Sequence, residues 1–262
     1  MTRVLSALVL LPLVLGAVWF LPPIATIALS LLAAALAFSE YASIASALGV
    51  HVPRIVSGAA VLAACGAVGS GRVPADVVLM TAVITIGALA VGSGQPGPAI
   101  LRDTAAALFP VLYIGLPLGA LAAVRVVGGR EAVVLLMAAI VISDSAQYYT
   151  GRALGRRPLA PSISPKKTLE GAIGGVVFGT AAFAIGARLV FPATAWLLLA
   201  LVGASIAALG IVGDLFESLL KRSAGVKDSS ALIPGHGGVL DRIDSWLFAA
   251  PVYYVFVRYL QF

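Results

Sequence analysis

Apolar runs close to the length that crosses a hydrocarbon layer of about 30 Å recur along the whole chain. They are rich in Ala, Leu and Val and lack the period-two alternation of barrel strands, so backbone hydrogen bonding in lipid favours helices. The pattern therefore predicts an all-α, polytopic integral membrane protein with about nine transmembrane helices. Between charges and Pro/Gly breaks, the predicted spans lie near residues 4–21, 24–47, 54–69, 76–92, 100–122, 131–151, 170–190, 194–213 and 240–260.

Composition excludes an ordinary soluble protein. Hydrophobic residues make up 61% of the 262 residues, and the mean hydropathy is +1.07. Only 11% of residues are charged, against roughly 25% in globular proteins. We expect a single integral membrane domain over residues 1–262, and we interpret its first apolar run as a retained helix rather than a cleaved signal. The one cysteine, Cys65, cannot form an internal disulfide.

The distribution of basic residues predicts the orientation. With a cytoplasmic N-terminus, the cytoplasmic side holds twelve bases and the other side five, as the positive-inside rule requires. Residues 152–169 and 214–240 then share the cytoplasmic face. The net charge of +6 suits contact with anionic lipid and nucleotide, although basic loops also serve topology alone.

A glycine pattern predicts close helix packing in the seventh span. Gly171, Gly175 and Gly179 are spaced four residues apart, which leaves a flat strip on which another helix can lie. The neighbouring helix could belong to the same chain or to a second copy.

Four acids flank the last cytoplasmic segment. Asp214 and Glu217 are three residues apart, as are Asp241 and Asp244, so each pair lies on one helix face. We expect them to form a carboxylate cup, and clustered hard oxygen ligands select Mg²⁺ or Mn²⁺. Helix capping is the competing explanation for Asp241 and Asp244, because acids are favoured at a helix N-terminus.

Two further acids lie within apolar segments. Asp144 is inside VVLLMAAIVISDSAQYYTG, where an ionisable group is functional by default, with a helix-packing hydrogen bond as the alternative. Glu40, in AFSEYAS, is nearer a predicted interface. A functional role and a simple interfacial position are equally compatible with its sequence context.

Basic and glycine-rich segments are candidates for binding phosphate. Ser164, Lys166 and Lys167 lead into a predicted helix whose N-terminal amides could hold a phosphate, although topology also explains bases in this loop. In PGHGG, glycines allow a backbone to approach an anion closely. Within and around PGHGG, the residues that could contact phosphate or balance its charge are Lys221, Arg222, Lys227, His236, Gly237, Gly238 and Arg242. For His236, hydrogen bonding to phosphate and a structural role in the turn are both open.

The string from Ser218 to Asp244, S-x-L-K-R-x4-K-D-x-S-x2-I-P-x-H-G-G-V-x-D-R-I-D, resembles the signature of the CTP:phosphatidate cytidylyltransferases, the CDP-diacylglycerol synthases. SPKKTLEG (164–171), GDLFES (213–218) and the polar helix containing Asp144 also resemble family features, so the motifs concentrate in residues 144–245. The first ~130 residues resemble the family only in being hydrophobic.

The resemblance implies an enzyme of the cytoplasmic (inner) membrane that condenses CTP with phosphatidic acid, giving CDP-diacylglycerol and pyrophosphate. It implies Mg²⁺ dependence, a monovalent cation such as K⁺ beside the divalent ion, a homodimer and a site open to the cytoplasm, with membrane lipids and no nucleic acid as partners. The metal-binding acids would be Asp214, Asp241 and Asp244, with Glu217 as a further candidate. Lys227 and Arg242 would act with the three aspartates in catalysis.

Two other functions are also compatible with parts of the sequence. A CTP-using polyprenol or phytol kinase would transfer the γ-phosphoryl group and release CDP. An ion-coupled transporter would also place acids within the membrane, but its charges should be spread over symmetric halves. Here they concentrate in the C-terminal half, which disfavours a transporter.

Overall fold

The computed structural model describes residues 12–94, 96–233, 235 and 237–260, which form a helical bundle with one small β-hairpin. Residues 12–20 are helical and are called α1 here. The following elements are α2 (Pro23–Ala47), α3 (Arg54–Ser70), α4 (Ala75–Gly92), α5 (Ala99–Pro110), α6 (Leu116–Leu154), β1 (Pro158–Ala160), β2 (Ser164–Thr168), α7 (Leu169–Val190), α8 (Trp196–Ser223) and α9 (Leu240–Val255). A π-helical turn, Val111–Gly115, joins α5 to α6, and another, Phe256–Leu260, follows α9.

The helices begin and end where local chemistry predicts. Pro22, Pro53 and Pro74 directly precede α2, α3 and α4, positions that suit a residue without a backbone N–H. Gly71 ends α3 in a left-handed conformation, with φ of 63°. The helix boundaries expected from the apolar runs are thereby confirmed to within a few residues for these three elements.

The helical stretch from α5 through α6 is kinked at Gly129, where φ is 82° and ψ is −177°. Before the kink, a Cβ atom added to Gly128 would lie 2.7 Å from Cγ1 of Val257. After it, the carbonyl of Ala132 accepts a hydrogen bond of 2.9 Å from Tyr253 Oη, one turn back along the last helix. The stretch is therefore two helical segments joined at Gly129, which places a break between the predicted spans 100–122 and 131–151.

Five helical stretches are long and apolar enough to cross a membrane: Pro23–Ala47, Ala75–Gly92, Ala99–Leu154, Leu169–Val190 and Trp196–Ser223. The apolar helix Arg54–Ser70 is shorter. Large hydrophobic side chains are exposed all over the surface, and only Ala82 and Ile86 of α4 are buried. An apolar exterior suits lipid, so the chain is an α-helical membrane protein.

The seventh-span glycines pack within this chain. A Cβ atom at Gly171 would lie 2.7 Å from the carbonyl oxygen of Gln147, and one at Gly175 would lie 3.1 Å from that of Ser143. At Gly179 the added atom would lie 2.8 Å from Ser143 Cβ. The glycine strip therefore lets α7 lie directly on α6, which answers the question left open by the sequence.

Two boundaries differ from the sequence prediction. The eighth helix was expected to end near residue 213, but α8 continues to Ser223, because DLFESLLKRS contains good helix formers and neither Gly nor Pro. Gly225, with φ of 71°, follows its end. Residues 152–169, predicted as a loop in an all-α protein, contain the antiparallel β1–β2 hairpin, with Pro158 opposite Thr168.

Candidate active site

Close helix contacts bring three aspartates together at one end of the bundle. Gly213 allows α8 to approach α9, since a Cβ atom there would lie 2.5 Å from the carbonyl oxygen of Asp244. Asp214 is the next residue, so its carboxylate lies near that of Asp244. Asp144 lies in the last part of α6, before β1. Its side chain is exposed and interacts electrostatically with Asp214 and Asp244. Three carboxyl groups from three helices therefore face a shared region.

Lys167 supplies a positive charge to this group. It lies on β2, and its Nζ forms a salt bridge with Oδ2 of Asp214. The side chains are 16% and 32% exposed, respectively, so the pair lies at the edge of the bundle. The sequence predicted a phosphate ligand in Lys167 and a metal ligand in Asp214. In this structure the two side chains pair with each other.

A second charged group is buried beside the first. Nζ of Lys221 forms salt bridges with both Glu217 and Asp241. Glu217 is fully buried, and the Lys221 side chain is only 10% exposed. The phosphate contact of Lys221 stays a prediction. Because α8 continues past residue 213, Lys221 lies inside the bundle in this structure and pairs with two acids.

Asp241 is held by hydrogen bonds on its other oxygen. Its Oδ2 accepts from the backbone N–H groups of Ser229 at 2.9 Å and Gly238 at 2.7 Å, and it lies 2.8 Å from the Ser229 hydroxyl. A Cβ atom at Gly237, where φ is 80°, would lie 2.5 Å from this same oxygen. Glycine is thus required at 237 because the carboxylate of Asp241 approaches the backbone there.

Glu40 is a site residue that the sequence did not assign. It lies on α2, is 5% exposed, and accepts hydrogen bonds from Ser229, Ser230, Val239 and Leu240. Its position in an apolar segment was a signal, but its partners lie 189 to 200 residues away along the chain. The amides at 238–240, which include that of Gly238 in the predicted phosphate segment, therefore bind the protein's own carboxylates.

The remaining predicted residues lie on the loops around this region. Lys166, Lys227 and Arg242 are exposed, and Ser164 is half-buried on β2. Arg222 is exposed and donates to the carbonyl of Val226 at 2.9 Å. His236 lies outside the described residues.

The amide site expected at the start of α7 is also occupied by protein groups. Thr168 accepts a hydrogen bond from Gly171 N at 3.1 Å, and Glu170 accepts from the N–H groups of Arg156 and Arg157. The Thr168 contact is an N-cap. A phosphate at this helix N-terminus would have to compete with these contacts.

Aromatic residues close the site on the inner side. Phe109, Tyr113, Phe216 and Phe248 pack with ring centroids 5.2 to 6.3 Å apart. The hydroxyl of Tyr113 is buried without a hydrogen-bond partner among the described residues and lies in the electrostatic field of Glu217 and Asp244.

The expected four-acid cup is divided in two. Glu217 and Asp241 share Lys221, whereas Asp214 and Asp244 face Asp144 and Lys167. Within the described part of the chain, no three His, Cys, Asp or Glu side chains are already arranged around a metal position. The group formed by Asp144, Asp214 and Asp244 nevertheless offers only oxygen ligands, with one base, Lys167, beside three acids, a donor set that fits Mg²⁺ or Mn²⁺.

Comparison with known proteins identifies the family. Residues 1–260 match the model of the cytidylyltransferase family. The chain belongs to this family. The resemblance seen in the motif from Ser218 to Asp244 is thus confirmed.

Several similar proteins are named phosphatidate cytidylyltransferase. A phosphatidate cytidylyltransferase of Helicobacter pylori strain J99 is 37% identical over 190 residues, which cover 72% of this chain and 67% of that protein. One from Bacillus subtilis strain 168 is 40% identical over 148 residues, covering 55% of this chain and 54% of the relative. An uncharacterized protein of Escherichia coli K12 is 47% identical over 132 residues, covering 50% of this chain and 44% of that protein. The chain thus aligns with about half of the length of some relatives.

Proposed function

We propose that this chain condenses CTP with phosphatidic acid, giving CDP-diacylglycerol and pyrophosphate in phospholipid biosynthesis. Family membership and the names of the relatives support this function. The observation that carries it is the convergence of Asp144, Asp214, Asp244 and Lys167 at one end of an apolar bundle. Such a site can receive a charged headgroup while the lipid tails stay in the bilayer.

The reaction brings two anions together, so the protein must mainly position groups and balance charge. A phosphate oxygen of phosphatidic acid forms a bond to the α-phosphorus of CTP, and the bond from that phosphorus to the β-phosphate oxygen breaks, releasing pyrophosphate. The phosphomonoester has a second pKa near ~6 and is mostly ionised at neutral pH, so it needs no general base.

Three exposed bases are available to bind phosphate oxygens. Lys166, Lys227 and Arg242 have no salt-bridge partner among the described residues, and we assign them, with Arg222, to the triphosphate and the lipid phosphate. Lys167 would shift from Asp214 to a phosphate when substrate enters. His236 stays a predicted phosphate contact.

We further propose Mg²⁺, or Mn²⁺, as the cofactor. Asp214 and Asp244 would hold it, with Asp144 nearby, and the bound ion would supply charge neutralisation for the departing pyrophosphate. Both oxygens of Asp241 are engaged, one by Lys221 and the other by backbone donors. We therefore propose that Asp241 holds the surrounding residues in place and does not bind the metal directly. The monovalent cation stays a prediction from the resemblance.

The function predicts which products form. Purified protein with CTP, Mg²⁺ and phosphatidic acid should release one pyrophosphate for each CDP-diacylglycerol formed. Diacylglycerol, which lacks the attacking phosphate, is the matched control and should release none. Release of CDP with diacylglycerol or a polyprenol as acceptor would instead support the kinase.

We also propose nine transmembrane helices, a homodimer and an active site facing the cytoplasm of the inner membrane. The excess of bases supports the orientation. Contacts support the alternation of the spans, because Arg102 donates to Gly49 after the end of α2, while Arg125 donates to Leu21 before its start. The resemblance supports the dimer, and cross-linking in native membranes would test it.

The orientation predicts which residues can be labelled from outside the cell. Ser162 and Ser223 are exposed, so Ser162→Cys and Ser223→Cys, in a Cys65→Ala background, should both resist an impermeant maleimide in intact cells. Arg72→Cys, in an exposed turn predicted to be external, is the positive control and should react. Labelling of either serine position before lysis would contradict the proposed topology.

A further inference from the structure

We propose that Glu40 is a positioning residue for the reaction: it fixes the start of α9 and thereby the placement of Asp241 and Asp244. The inference rests on the proposed function. It concerns a residue on α2, outside the motif segments at 144–245.

The Glu40 carboxylate serves as a remote cap for α9. Oε1 accepts from Val239 N at 2.9 Å, and Oε2 accepts from Leu240 N at 2.7 Å. The first amides of a helix have no partner within the helix, and the helix dipole favours a negative charge there. Val239 is the N-cap residue of α9, and its side chain has no hydrogen-bonding group. The capping carboxylate is therefore supplied by Glu40 of α2.

Glu40 also holds the segment that leads into α9. Ser230 Oγ donates to Oε1 at 2.7 Å. The Ser229 hydroxyl lies 2.8 Å from Glu40 Oε2 and 2.8 Å from Asp241 Oδ2, so it links the two acids. A displacement of Glu40 would therefore move the same backbone that holds Asp241.

The contact explains a glycine that the sequence assigned to phosphate. A Cβ atom at Gly238 would lie 2.4 Å from each carboxylate oxygen of Glu40 and 2.1 Å from Ser229 Oγ. No side chain fits there while Glu40 occupies this place. Glycine at 238 is thus required by an internal carboxylate.

Only a carboxylate satisfies this set of donors. Three donors, from Ser230, Val239 and Leu240, converge on its two oxygens together with the Ser229 hydroxyl, whose single proton Glu40 shares with Asp241, and an ionised carboxylate is an acceptor on both oxygens. Glutamine has one acceptor oxygen, and its amide nitrogen would face a backbone N–H group. Glu40→Gln should therefore loosen the start of α9 with almost no change in side-chain size.

The consequence for the site follows from the helix geometry. Asp241 lies in the first turn of α9, and Asp244 follows three residues later on the same face, next to Asp214. Fixing the first amides of α9 sets the position of both acids. Small misplacements of reacting groups are costly, so Glu40 should affect turnover without contacting substrate.

The test compares Glu40→Gln with Glu131→Gln, the same chemical change at an exposed acid paired with Arg130. We expect Glu40→Gln to lower kcat at least ~10-fold while KM for CTP changes by less than about threefold. Hydrogen exchange, followed by mass spectrometry on protein in lipid nanodiscs, should accelerate in peptides covering 229–241 and stay unchanged in α7. Glu131→Gln should match the wild type in both measurements.

A milder variant keeps the test informative if Glu40→Gln does not fold. Ser230→Ala removes one donor and leaves the other three contacts, so it should lower kcat about threefold and accelerate exchange in the same peptides. Wild-type kcat and exchange in Ser230→Ala would overturn the proposal. So would a Glu40→Gln variant with normal kcat, or one whose only defect is a raised KM.

The exchange measurement separates this inference from the proposed function. A wild-type protein that forms no CDP-diacylglycerol would refute the function. The link between Glu40 and the start of α9 would then be judged by exchange, and unchanged exchange at 229–241 in Glu40→Gln would refute it.

Discussion

Asp214→Asn should lower kcat at least ~100-fold, the scale of losing a key electrostatic group in a site. Asparagine keeps the size of the side chain but removes the charge that pairs with Lys167 and faces Asp244. It is also a weaker ligand for a hard cation. Because the pair lies at the edge of the bundle, the variant should insert and purify normally. Turnover of CTP in nanodiscs containing phosphatidic acid measures the effect.

Asp103→Asn is the matched control, since Asp103 also pairs with a base, Arg102, but lies on α5 outside the site. It should retain full turnover. Asp214→Asn combined with Asp244→Asn should be little worse than either single variant, because residues that act as one unit are strongly non-additive. Near-normal turnover of Asp214→Asn at limiting Mg²⁺ would contradict the assignment of this acid.

Lys221→Met should destabilise the folded protein by about 3–5 kcal/mol, the usual cost of breaking a buried ion pair by removing one partner. Methionine fills a similar volume, but Glu217 and Asp241 would then face each other without the cation that neutralises both. The apparent melting temperature in detergent should fall by roughly 10 °C. Arg222→Met removes the same charge from the next, exposed position and should leave the melting temperature unchanged.

A second substitution should restore much of that loss. Glu217→Gln in the Lys221→Met background removes one of the two facing charges, so the double variant should melt above the Lys221→Met variant. The coupling between the two positions should lie within the 0.5–3 kcal/mol seen for residues in one network. Equal melting temperatures of the single and double variants would show that the three side chains do not form one buried charge network.

The sequence was sufficient to predict the helical membrane fold and the residues of the motif region. Apolar runs bounded by Pro and Gly are local signals, and α2, α3 and α4 begin directly after prolines. The continuation of α8 to Ser223 was missed, because the appearance of polar residues marks where a membrane environment ends rather than where a helix ends. The same error placed Lys221 in a loop.

The ion-pair and hydrogen-bond partners of the site residues could not be predicted from the sequence. Which acid pairs with Lys167 or Lys221 cannot be read from local patterns, because those contacts depend on how α6, α8, α9 and β2 meet. Glu40 lies 199 residues before Val239, and no local pattern connects them. For the same reason the glycines of the motif were assigned to phosphate, whereas in the folded chain they accommodate Glu40 and Asp241.

The fate of labelled phosphate tests the proposed reaction most directly. Purified protein is incubated with phosphatidic acid, Mg²⁺ and CTP labelled with ³²P at either the α or the γ position. Attack at the α-phosphorus predicts that α-label enters CDP-diacylglycerol and γ-label appears only in pyrophosphate. Recovery of γ-label in lipid, with α-label left in CDP, would contradict the account and establish phosphoryl transfer instead.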